Sequence, residues 1–280
     1  MKSNITGGET TLLFTTKVLS KYDVKYYKCN DTGYIQTEKP YWLAEAYSSA
    51  ITKLDVGLVY RNRTLSDFTE GLLLRHFDTI SNGKFLDYAG GYGLFTRMMR
   101  DKGFDFYNTD KFCQNIFAEF QDLKELNGNE KFEMVTAFEV FEHLENPLKE
   151  IEEILSYSDN VFFSTEIIPA EVKTPEDWWY FIPETGQHVS LYSIDSLKFI
   201  AKKFDRYFYT DGAKVHLFTK IELAKNPFEI ENPKKDPYLI GKFRRKVKRF
   251  DKRNTVEVCC KPSLINRDMD DARKRISKGK

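Results

Sequence analysis

"FLDYAGGYGLFTRMMRDKGF", residues 85–104, decides how the rest of the chain is read. An apolar pair, Phe85-Leu86, runs into an acid, Asp87. A turn of small residues follows, Ala89-Gly90-Gly91-Tyr92-Gly93, and then a helix-like run over Leu94–Lys102. Small residues between a strand and a helix N-terminus let backbone approach a ligand closely. Gly91-x-Gly93 is part of a dinucleotide fingerprint, but the third glycine of G-x-G-x-x-G falls on Thr96. Asp87 would repel a pyrophosphate beside it and suits a ligand that carries an ammonium group.

Working outward, the pattern alternates. Strands are expected at Lys84–Asp87, Phe104–Thr109, Met134–Phe138 and Asn160–Ser164, with helices over Leu94–Lys102, Ile116–Leu123, Pro147–Leu155 and Ser193–Lys203. Phe204–Thr210 and Val215–Lys220 flank an Asp211-Gly212 turn as a closing hairpin. Strands alternating with helices imply a parallel sheet covered on both faces. A helix over Asp67–His76 precedes this core, and a segment opened by Pro40 reads as helical through Ile51. Tyr26–Cys29 and Gly33–Gln36 read as two short strands about an Asn-Asp-Thr-Gly turn, and residues 1–20 as a poorly anchored start. Three parts are therefore expected: a cap over 1–60, the α/β core over 61–222 and a basic extension over 223–280.

Asp110 ends the second core strand, about 20 residues beyond the turn, where a ribose-binding carboxylate belongs; capping of a following helix is the rival role. An adenosine ribose and an amino-acid ammonium together describe S-adenosylmethionine. The bulk composition allows this. The 280 residues carry a net charge of +1, so no whole-chain field points to nucleic acid. Nothing resembles a signal peptide or a bilayer-spanning run, and Cys29, Cys113, Cys259 and Cys260 form no disulfide framework, which fits a reducing, cytoplasmic setting. Cys29 stands in half of a zinc knuckle whose second ligand position is Thr32, so no metal is expected.

Asp87-Tyr88-Ala89-Gly90-Gly91-Tyr92-Gly93 resembles the glycine-rich motif of class I S-adenosylmethionine-dependent methyltransferases. "VTAFEVFEHLENP" (135–147) is similar to a motif of the ubiquinone-type and sugar branch, and "WWYFIPETGQHVSLYS" (178–193) resembles a segment of bacterial sugar and capsule-cluster methyltransferases. The resemblance covers roughly residues 60–220. It implies a doubly wound α/β fold with a mostly parallel, seven-stranded sheet whose last strand is antiparallel. It implies methylation of a sugar on oxygen or carbon in surface-polysaccharide or glycan biosynthesis; a quinone-type small acceptor and an inactive binding protein are the alternatives. Ala89 stands where the family usually has Gly, and a left-handed backbone there would disfavour it.

The expected cofactor residues are Asp87, Ala89, Gly90, Gly91, Gly93, Asp110, Lys111, Phe138 and Glu139. On the acceptor side, His188 in a loop and His143 after the fourth core strand are candidate bases, with Glu142 beside His143. Each has a bland reading as a loop organiser. The related family pair is Glu-His, but here the preceding residue is Gln187, so Glu166 or Glu184 would have to supply an anionic partner. Trp178, Trp179 and Tyr180 suit either core packing or stacking on a sugar. Among Arg61, Asn62 and Arg63, Arg63 is the chosen anion ligand, against a solvated role. The tail stretch "YLIGKFRRKVKRF" has helical spacing of Leu239, Phe243, Val247 and Phe250 among basic residues. It fits a solvated helix, RNA or peripheral contact with the inner membrane surface.

Overall fold

The computed structural model describes residues 1–48, 52, 54–77, 83–126, 128, 130–229 and 262–277. Its centre is a six-stranded sheet among the described residues, in the order β5-β4-β6-β7-β10-β9. These strands are β4 (Lys84–Tyr88), β5 (Asp105–Thr109), β6 (Met134–Phe138), β7 (Val161–Ser164), β9 (Tyr207–Thr210) and β10 (Val215–Thr219). β5, β4, β6 and β7 pair in parallel, while β10 runs antiparallel to both β7 and β9. The expected antiparallel closing strand is thus present.

Alternation along the strands explains the layers. Phe85, Met134 and Phe162 face α2 (Leu58–His76) and α3 (Leu94–Asp101), packing with Leu65, Leu72, Phe95 and Met99. Their neighbours Leu86, Val135 and Phe163 face the other way, against Ile151 and Ile154 of α4 (Pro147–Tyr157) and Leu197 and Ile200 of α5 (Ile194–Lys203). Successive strand residues point to opposite faces, so a sheet buried on both sides needs runs that are apolar throughout. Ser193 caps α5, accepting the Ser196 N–H at 3.0 Å.

Among the described residues six strands stand where seven were expected, and outside them the β5 edge carries one isolated bridge, Asn108 to Asp122. The helix expected over Ile116–Leu123 is absent as well. The Asn115 side chain takes the Ala118 N–H at 2.9 Å and donates to the Ala118 carbonyl at 2.7 Å. Phe120 then turns left-handed, with φ of 65°. A side-chain amide that satisfies nearby backbone competes with helix.

The N-terminal region also differs from its sequence reading. Residues 1–20 are anchored: β1 (Thr10–Val18) pairs with β2 (Tyr22–Cys29), which pairs with β3 (Ile35–Thr37). The short β8 (Ser190–Leu191) adds to β3 and completes a second sheet. The helix expected from Pro40 is only α1 (Leu43–Ala46) among the described residues. α6 (Ile265–Ser277) docks on α3. The basic stretch at 238–250 lies outside the described residues.

Candidate active site

The turn after β4 is tightly determined. Ala89 and Gly91 have φ of 54° and 58°, and Gly93 opens α3 at φ of 81°. Ala89 therefore holds the left-handed conformation that its sequence position puts at issue. Beneath the turn, Asp87 is 2% exposed. It accepts the Thr136 hydroxyl at 2.8 Å and the Thr96 hydroxyl at 3.3 Å, tying β4 to β6 and to the first turn of α3. Burial pushes its carboxyl up to about 7, so an ammonium group arriving at the cavity would favour its charged form. Asp110 holds the turn from the other side. One oxygen accepts the Gly91 N–H at 3.0 Å, and the other accepts the N–H groups of Phe112 and Cys113, each at 2.7 Å. It caps a turn, not a helix, and keeps further lone pairs for a ribose.

A cavity of about 1110 Å³ begins at this turn. Asp87, Ala89, Gly90, Gly91, Asp110, Lys111, Phe138 and Glu139 line it; Gly93 does not, and acts as the helix opening. Glu139 follows β6 at φ of 55°, its carboxylate accepting the Ser164 hydroxyl at 2.7 Å. Ile182, on the same cavity, has φ of 36°. Left-handed backbone at Ala89, Glu139 and Ile182 concentrates strain on the cavity wall, a pattern typical of functional sites.

At the far end the cavity meets Glu142, His143 and His188. The turn Phe141–His143 is stitched to the segment before α5: Val189 N–H donates to Glu142 O at 2.9 Å, and Ser190 Oγ to Leu144 O at 2.6 Å. The imidazole rings lie 5.0 Å apart at 83°. His143 Nδ1 is 3.1 Å from Gln187 O, and His188 Nδ1 is 2.6 Å from Tyr180 O. A carbonyl can only accept, so each Nδ1 carries the hydrogen and each Nε2 presents a lone pair. Burial pushes His143 down to about 4 and His188 to about 3, so both are neutral near pH 7. Such imidazoles are weak unassisted bases.

Glu142 is fully buried and accepts the Tyr180 hydroxyl at 2.5 Å. Burial, with the charge of Glu139, pushes it up to about 8. Its other oxygen, Oε2, and the neighbouring Thr165 hydroxyl are both buried without a bond of good geometry. The α1 segment braces this end, through Trp42 Nε1–H to Gly186 O at 2.8 Å and Gln187 Nε2–H to Ala46 O at 2.9 Å.

Some sequence candidates lie elsewhere. Trp178 packs with Phe181 against the apolar residues of the second sheet and does not line the cavity; Trp179, 66% exposed, and Tyr180 do. Glu166 pairs with Lys214 at 3.2 Å outside the lining, leaving His188 without that partner. Arg63 is exposed, whereas Arg61 lines the cavity and pairs with Asp55 at 2.8 Å. The helical period carries that signal: Arg61 is four residues before buried Leu65 and shares its face, as Arg63 does not. Lys214 and Tyr47 also line the cavity, brought there from sequence contexts that carry no motif.

A family model described as a methyltransferase domain matches residues 59–205. No curated protein matches the chain. Among solved structures, the chain is similar to an O-methyltransferase family 2 protein from Planctomyces limnophilus, at 12% identity and a TM-score of 0.41. That match covers 63% of this chain and 66% of the other, just under two thirds of its length. Magnesium protoporphyrin IX methyltransferase from Synechocystis shows 13% identity and a TM-score of 0.43 over 63% of this chain and 92% of the other. The plantazolicin methyltransferase BpumL shows 13% and 0.42 over 75% and 90%.

Proposed function

The chain belongs to the methyltransferase domain family, and on that premise we propose that it transfers the methyl group of S-adenosylmethionine to a sugar of a nucleotide-sugar or glycan acceptor. The methyl–sulfur bond breaks as a bond to the acceptor atom forms, leaving S-adenosylhomocysteine as a thioether and releasing the acceptor's proton. The observation that carries this reading is one cavity that runs from the glycine turn and Asp110 to the Glu142–His143–His188 end. Alignment of the two reactants in such a space is the main contribution a protein makes to a displacement of this kind.

Asp110 and the backbone of Gly91 hold the cofactor end. Two Nε2 lone pairs and the Glu142 carboxyl give the acceptor end the hydrogen-bonding groups that a hydroxyl-rich ring needs, and exposed Trp179 offers an aromatic face at the rim. A flat quinone-type acceptor brings fewer hydroxyls to those buried polar groups than a sugar does, which favours the sugar. The test is mass spectrometry of products formed from methyl-labelled cofactor with nucleotide-sugars and with quinols. A labelled sugar supports the reading, and the position of the label separates oxygen from carbon methylation. A labelled quinol alone, or bound S-adenosylhomocysteine without any methylated product across both panels, would overturn it.

A further inference from the structure

We propose that Glu142, His143 and His188 form a binding site for one divalent transition-metal ion, open toward the acceptor end of the cavity. One potential ligand atom from each side chain lies within 4.8 Å of the others. In a tetrahedral site with bonds of ~2.1 Å the ligand atoms lie ~3.4 Å apart, so loading needs the widest pair to close by up to roughly 1.4 Å. Both imidazoles are already in the ligand tautomer, because each Nδ1–H is fixed by a backbone carbonyl, of Gln187 or of Tyr180. That is how metal-binding histidines are usually oriented, with the other nitrogen left for the ion.

Glu142 supplies the independent observation. Its side chain is 0% exposed, one oxygen is held by Tyr180 at 2.5 Å, and Oε2 has only the Thr165 hydroxyl beside it, without a bond of good geometry. A buried carboxyl oxygen without a good hydrogen bond is costly, and a bound cation would offset that cost by favouring the ionised form. Two nitrogens and one carboxylate oxygen favour zinc, cobalt, iron or manganese over magnesium or calcium. Three protein ligands leave coordination positions free, as in catalytic rather than structural sites. An acceptor hydroxyl could take one of them and lose its proton more readily there. That catalytic role rests on the methyltransferase reading; binding of the ion does not. The donors come from positions 142–143 and 188, a spacing with no metal-motif signature in sequence.

The experiment uses the full chain, freed of metal by chelator, and titrates it with cobalt(II) and zinc(II) chlorides. Saturable visible d–d bands at one equivalent of cobalt are expected, displaced by zinc and not by magnesium. They should be lost in His188→Asn and Glu142→Gln and kept in His76→Asn. Tyr180→Phe, which removes only the hydroxyl that orients Glu142, should weaken cobalt binding by about 10–100-fold. Thermal melts check that each variant folds. If the site variants do not fold, copper(II)-loaded wild type is read by electron paramagnetic resonance, where coupling to two imidazole nitrogens is expected. No saturable cobalt band in the wild type, an unchanged band in folded His188→Asn, or no nitrogen coupling overturns the site. Calorimetry with S-adenosylhomocysteine on the metal-free chain is run in parallel. Its failure would strike the methyltransferase reading and leave the ion result standing.

Discussion

Ala89 and Gly90 carry opposite constraints within one turn. Ala89 is held left-handed, at a cost of ~1–2 kcal/mol for an L-residue. Replacement by glycine removes that cost and adds ~0.4–1 kcal/mol of unfolded-state entropy. Ala89→Gly should therefore raise stability by between ~0 and ~1.6 kcal/mol in urea denaturation; a clear loss would show that the methyl group packs usefully. At Gly90 the limit is space. A Cβ there would meet Asn108 Oδ1 at 2.1 Å and Asp87 Oδ2 at 2.2 Å. Gly90→Ala should cost at least ~1–3 kcal/mol and displace the carboxylate below the turn. Asp110→Ala should weaken S-adenosylhomocysteine binding by ~1.5–3 kcal/mol, the value of hydrogen bonds to a charged group. Calorimetry measures it, and unchanged affinity in a folded variant would leave Asp110 only its turn-capping role.

At the scale of elements, α6 is fastened through a buried guanidinium. Arg100 is 1% exposed and reaches Asp268 at 2.6 Å, Asp105 at 2.6 Å and Phe106 O at 2.7 Å. Removing Asp268 leaves Asp105 as partial compensation, so Asp268→Ala should destabilise by ~1.5–3 kcal/mol rather than unfold the chain. An unchanged denaturation midpoint would mean that α6 is dispensable to the core. Nothing in the local pattern of 262–277 announces that contact, since it depends on a charge far away in sequence. The core elements were legible for the opposite reason: β4, α3, β6, α4 and α5 each carry their own apolar period and punctuation. β1 was not, because its mixed burial gives no clean alternation. The failed helix at 116–123 shows an asparagine side chain overriding an apolar period.

For the molecule as a whole, buried titratable groups set a stability optimum. His143, His188 and His216 are pushed by burial to about 4, 3 and 4. With folded values below the unfolded 6.5, they give stability that is complete above pH 6.5 and lost as pH falls toward those values. Asp87 and Glu142 are pushed up, to about 7 and 8. Their contribution is complete below their unfolded values and lost as pH rises toward 7 and 8. Three histidines outweigh two acids on the acid side, and only the acids act above it. The metal-free chain should therefore melt highest near pH ~6.5, and Glu142→Gln should flatten the alkaline decline. Melting temperatures that keep rising from pH 7 to 9 would sink this account. The glycine-turn end of the cavity was legible in sequence because one contiguous turn builds it. The other end joins residues 61, 142–143, 180, 188 and 214, and only the fold brings those together.

The pairing of β3 with β8 has a consequence for the order of synthesis. Ile35 meets Leu191 and Gln36 meets Ser190, so the partner strand leaves the ribosome ~150 residues after β3, roughly 8–30 s at ordinary translation speeds. Throughout that interval the nascent chain carries an uncovered strand edge of the kind that recruits other chains. β3 is only 3 residues long, which leaves little backbone for a neighbouring nascent chain to copy while β8 is still being made.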